Sequence, residues 1–132
     1  MNRKELQSLA RVRLAEARAL LDAGFPDGAY YLAGYAAECA LKACIAKQTR
    51  RFDFPSKKTV DSSHTHNLKS LIEVAKLEAA RAARAAIDPV FGEHWEIVQG
   101  WSEQSRYETH DIHDAGELLL ALTDRKYGVW HG

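Results

Sequence analysis

Between residues 28 and 46 the chain carries only two charges, Glu38 and Lys42, set among alanines, glycines and tyrosines. A helix this poor in polar side chains has no face to give to water, so it must form the centre of whatever the chain folds into. Ala29, Ala33, Gly34, Ala36, Ala37, Ala40 and Ala43 let neighbouring helices approach closely, while Tyr30, Tyr31 and Tyr35 add bulk with a polar end. The two charges and the tyrosines argue against a membrane span. A carboxylate at Glu38 is costly there unless it is paired. Lys42 stands four residues on in the favourable order, and Arg106, His66 or a tyrosine hydroxyl are the other candidate partners.

Around this helix the rest of the chain reads as amphipathic helices. Leu6, Ala10, Leu14, Ala17 and Leu21 recur at spacings of three and four, and Gly24 with Phe25-Pro26-Asp27 marks a short turn into the central helix. Residues 49–65 hold Pro55, serines and Arg50, Arg51, Lys57 and Lys58, and predict one long basic loop. A third helix should start near Thr65 to Asn67, bury Leu68, Leu71, Ile72, Ala75 and Ala79, and run on through an Ala/Arg tract with Arg81 and Arg84 exposed. Asp88-Pro89 supplies a cap and a first-turn proline for a fourth helix burying Phe91, Trp95, Val98 and Trp101. The fifth starts near Asp111, buries Ile112, Ala115, Leu119 and Leu122, and places Arg125 and Lys126 at its C-terminal end.

The 132 residues therefore predict one all-α domain spanning 1–132. The first twenty residues are charged every few positions, so neither a signal peptide nor a membrane anchor is expected. Cys39 and Cys44 point about 140° apart on one helix, wrong for a bridge, which fits reduced thiols and a cytoplasmic protein. Net charge is zero, but Lys and Arg outnumber Asp and Glu fifteen to nine through residue 87 and fall to three against nine thereafter. Such polarity serves head-to-tail packing, a basic partner, a local anion site or ordinary solvated faces.

Histidines gather at two places. His64 and His66 flank Thr65 at a helix start, where capping is the simplest reading. His110, Asp111, His113 and Asp114 form an HDIHD run whose side chains suit metal, yet capping and solvation account for them better, since no other ligand cluster is tied to the run apart from His64 and His66. No metal and no cofactor are assigned. Trp95, Trp101 and Tyr107 read as core or interface rather than as a base-stacking platform.

The run from Ala17 to Ala43, with its YYLAGYAAE core, resembles the first helical hairpin of HEPN domains, the "higher eukaryotes and prokaryotes nucleotide-binding" family. The THNLKSLIEVA segment and Arg106-Tyr107 before the last helix sit where such proteins often carry similar residues, so the resemblance covers roughly residues 7–125. The same opening also resembles a tetratricopeptide unit, but no second copy recurs near the required period of about 34 residues.

The resemblance implies an up-and-down bundle of about five helices, commonly a homodimer, often paired with a nucleotidyltransferase as toxin and antitoxin. Many active members are metal-independent ribonucleases using an Arg followed a few residues later by a His at the start of the last helix, paired across the dimer. Here Arg106 and His113 fit that pattern with six residues between them, and would be the catalytic pair. Arg106, Tyr107, His110, Glu38 and His66 are the candidate nucleotide or RNA contacts. The alternative is a non-catalytic helical module that binds a nucleotidyltransferase partner, to which the acidic surround of Glu103, Glu108, Asp111 and Asp114 points.

Overall fold

In the computed structural model, which describes residues 2–51 and 65–124, the chain is all-helical. Helix α1 spans Arg3–Asp22, α2 Pro26–Arg51, α3 Leu68–Val74, α4 Glu78–Ile87, α5 Pro89–Gln99 and α6 Ile112–Thr123, with a 3₁₀ helix at Glu103–Tyr107. The family-like bundle is thus as predicted, with six α-helices among the described residues in place of about five. The predicted loop at 49–65 and the basic residues Lys57, Lys58, Arg125 and Lys126 lie for the most part outside the described residues, although α2 runs on to Arg51.

The α1–α2 hairpin is closed by local chemistry. Gly24 takes φ of 87°, its N–H donates to the Leu21 carbonyl at 3.1 Å, and the Phe25 N–H donates to Leu20 at 2.8 Å. That pair of bonds satisfies the last carbonyls of α1 in a left-handed cap, and Pro26 then opens α2 at the position where its missing N–H costs nothing. Ala10 and Ala17 of α1 pack against α2, whose Ala29, Ala33 and Ala36 are completely buried. Helix α2 also touches α3, α6 and the 3₁₀ helix, which makes it the centre of the molecule. Leu68, Leu71, Trp95, Val98, Leu118, Leu119 and Leu122 fill the core around it, each large side chain contributing roughly 1.5–3 kcal/mol.

The single third helix predicted from sequence is two helices. Lys76 adopts φ of 60°, its N–H donates to Glu73 at 3.0 Å and the Leu77 N–H to Ile72 at 3.1 Å, the same left-handed cap made without a glycine. No Gly or Pro announces the break. Lys76→Gly should raise stability by about 0.5–1 kcal/mol, because only glycine takes that φ freely; a thermal melt checks it, and a lowered melting temperature contradicts it.

The break turns α4 so that no residue in it is buried, which corrects the expectation for Ala79. Arg81 and Arg84 are half-buried rather than exposed, because their guanidinium carbons lie 5.7 Å from the Trp95 ring centre and 4.3 Å from that of Phe91. Asp88 caps α5 by accepting the Phe91 N–H at 3.2 Å, and Phe91, Trp95, Val98 and Trp101 are all buried. Asp111 caps α6 through the Asp114 N–H at 2.8 Å. Ile112 departs from expectation, being 58% exposed; in the first turn of α6 it faces away from the core that Ala115, Leu119 and Leu122 enter. Cys39 and Cys44 are free thiols, pushed up in pKa chiefly by burial. Among the described residues no helix is long and apolar enough to cross a membrane.

Candidate functional site

Tyr31, Tyr35 and Glu38 follow one another at i, i+4 and i+7 on α2, so they share one face. That face forms one wall of a cleft of about 280 Å³ completed by His66, Trp101, Glu103 and Arg106. His66 precedes α3 in a short segment fixed at both ends: Thr65 Oγ1 accepts the Asn67 N–H at 3.1 Å, and Asn67 Oδ1 accepts the Ser70 N–H at 3.0 Å. Trp101 follows α5 and lays its indole directly on Gly34, where any side chain on α2 would block it. The 3₁₀ helix then carries Glu103 and Arg106 back across the opening, with Ser105 buried beneath it and bonded through its backbone, its N–H donating to Ser102 at 3.0 Å and its carbonyl accepting from Glu108 at 3.2 Å.

At the base of the cleft Glu38 is only 2% exposed. Its Oε1 accepts a hydrogen bond from His66 Nδ1 at 2.8 Å, and its Oε2 lies 3.5 Å from Lys42 Nζ. A carboxylate can only accept, so the imidazole carries its proton on Nδ1, the arrangement that fixes a ring's orientation. The other ring nitrogen, Nε2, is 3.4 Å from Glu103 Oε2. Two of the partners foreseen for Glu38, Lys42 and His66, are therefore both engaged. Tyr31 stacks near Tyr35 at 6.2 Å and tilts toward Trp101 at 6.0 Å. Burial, with Cys39 and Glu38 nearby, pushes the Tyr35 phenol up, so it remains a hydroxyl donor at neutral pH. Trp101 Nε1 is buried with no hydrogen-bond partner among the described residues.

The remaining candidates lie outside this cleft. His110 stacks on Tyr30 at 3.7 Å between ring centres, its backbone N–H donates to Asp27 at 2.5 Å, and its ring nitrogens face Glu108 and Asp114 at 3.4 and 3.7 Å. Burial first, then the charges of Glu108 and Asp114, push the Tyr30 phenol up. The His113 side chain is 78% exposed, 3.5 Å from Glu117. Tyr107 is 76% exposed beneath the Arg106 guanidinium, whose carbon is 5.2 Å from the ring centre. The fold thus unites Glu38, His66 and Arg106, and sets His110, His113 and Tyr107 along the approach to α6. Among the described residues no three His, Cys, Asp or Glu side chains converge as metal ligands; His64 lies outside them.

Sequence reasoning missed Tyr31, Tyr35, Trp101 and Glu103 as cleft residues. The helical spacing of Tyr31, Tyr35 and Glu38 carried a usable signal, whereas the placement of Trp101 and Glu103 depends on how the 3₁₀ helix and the residues before it dock against α2. No curated protein and no solved structure matches the chain. The family model of the HEPN domain matches residues 4–123, from the first turn of α1 to the end of α6 and across every wall of the cleft, and the chain belongs to the HEPN domain family.

Proposed function

We propose that the chain binds the phosphate of a nucleotide or of RNA in the Glu38–His66–Arg106 cleft. Family membership makes it a nucleotide- or RNA-related helical domain. The observation that carries the reading is the convergence on one cleft of an Arg106 with no ion pair among the described residues and the aromatic wall of Tyr31 and Tyr35. None of the neighbouring carboxylates neutralises Arg106. Its planar fork suits phosphate oxygens and stays charged at every relevant pH, while the faces of the partly buried Tyr31 and Tyr35 suit a base. Arg106→Ala should weaken adenosine monophosphate binding about tenfold or more by titration calorimetry; unchanged affinity would make Arg106 a structural residue.

The finer reading is a cytoplasmic, metal-independent ribonuclease toxin, partnered by a nucleotidyltransferase antitoxin, in which Arg106 holds the scissile phosphate and His113 is the base. One observation favours a homodimer as its working form. His113 stands outside the cleft of its own protomer, flanked by the exposed Tyr107 and Ile112, so a second copy docked on this edge covers apolar surface and brings two Arg106–His113 sets face to face. Trp95 and Trp101 are spent in the core and play no part in that contact. In this form both Arg106→Ala and His113→Ala abolish RNA cleavage, a chelator does not, and sedimentation gives twice the monomer mass. The alternative, a non-catalytic module holding a nucleotidyltransferase, is supported by the carboxylates at the start of α6, where Glu108 and Asp114 face His110, Glu117 faces His113 and Asp111 caps the helix. It predicts binding without cleavage.

A further inference from the structure

A second concave surface lies between α1 and α2, away from the cleft. Arg3, Gln7 and Arg11 follow one another at intervals of four residues along α1, and Lys47 faces them from α2 across a floor of Ala10, Ala40, Ala43 and Cys44. The groove measures about 300 Å³. No carboxylate lines it, and among the described residues none of its three cations has an ion pair. The arrangement differs from that of the later arginines of α1, where Arg13 pairs with Glu16 and Arg18 donates to Thr123. Three cations lining one concave surface without a carboxylate among them leave an uncompensated positive potential there, which attracts an anion.

We propose that this groove binds the sugar-phosphate backbone of single-stranded RNA, as a second contact beyond the cleft. The inference rests on the RNA reading of the family for the identity of the ligand, and on the groove alone for its position. Arg3 and Arg11 are about 12 Å apart along the helix axis, too far for one phosphate and suited to successive ones. The floor is made of alanines and a thiol, with no aromatic ring to stack a base and no deep pocket for a peptide side chain. Such a surface follows charge and carries no sequence preference. RNA of any sequence is therefore held by α1 and α2 while one nucleotide occupies the Arg106 cleft.

The experiment compares a fluorescent single-stranded oligouridylate with uridine monophosphate as ligands of the full chain. In the triple variant Arg3→Gln/Arg11→Gln/Lys47→Gln, oligouridylate affinity should fall about tenfold and the slope of log affinity against log salt should become shallower by about 2, at roughly 0.7 per phosphate contact. Uridine monophosphate binding should be unchanged, as should the thermal melt, since glutamine keeps the helix. Arg13→Gln/Arg18→Gln/Lys69→Gln removes the same charge elsewhere and should leave the slope nearly intact. An unaltered slope in the groove variant overturns the groove even where the mononucleotide binds. An equal loss in the control variant overturns it too, as does equal displacement of the RNA by poly-glutamate. Conversely, a groove effect without mononucleotide binding sustains the groove and removes the cleft reading.

Discussion

Gly34→Ala should lower stability by about 3 kcal/mol, near the upper end of what overpacking a core costs. A methyl group built on Gly34 would fall inside the Trp101 indole, against the Cδ1, Cδ2 and Cε2 atoms together. The ring has nowhere to retreat, being 2% exposed and packed in the main core with Val98 and Ala33. For a domain of this size the change corresponds to a melting temperature about 10 °C lower. The same displacement opens the cleft wall, so nucleotide affinity and tryptophan emission should change with it. A melt within a degree or so of the parent would mean that the indole does not rest on α2.

Removing the buried carboxylate is the second large effect. Glu38→Ala should cost about 1–3 kcal/mol, read as a shift in the denaturant midpoint at constant slope, because it strands the His66 N–H and the Lys42 ammonium. The loss stays below that of a fully buried pair, since the side chains of Lys42 and His66 are 21% and 45% exposed and recover part of their hydration. Glu38→Gln keeps an acceptor for His66 and loses only the charge facing Lys42, so it should fall between parent and alanine variant. An alanine variant with an unchanged midpoint would show that Glu38 makes no net contribution. Freed from Glu38, the His66 ring is no longer oriented toward the cleft, and mononucleotide binding should weaken in parallel.

What could be read from residues alone followed the strength of local chemistry. The near absence of charge between Gly28 and Ala46 put α2 at the centre, and Gly24-Phe25-Pro26, Asp88-Pro89 and Asp111 marked helix ends that the structure keeps, each by its own hydrogen bonds. The same scarcity of polar partners made Glu38 a paired group before any coordinate was known. Lys76 gave no warning, because a lysine in the left-handed region is paid for by the packing of Leu71, Ile72 and Ala75 beneath it rather than by its own preference. Ile112 looked buried because periodicity tells which residues share a face, and cannot tell where that face stops at a helix start.

The sequence determined the all-helical bundle, its central member and the family; tertiary structure alone decided the break at Lys76 and which polar residues meet. His66, Trp101 and Arg106 lie 28, 63 and 68 residues along the chain from Glu38, and they come together only because α3 and the 3₁₀ helix both dock on α2. Docking of that kind depends on side-chain volumes, such as an indole fitting over Gly34, that no spacing along a single helix encodes. For the same reason the Arg106–His113 spacing named two residues without saying whether one protomer can bring them together. Local patterns fix the direction in which each side chain leaves its own helix, and the packing of whole helices fixes what it finds there.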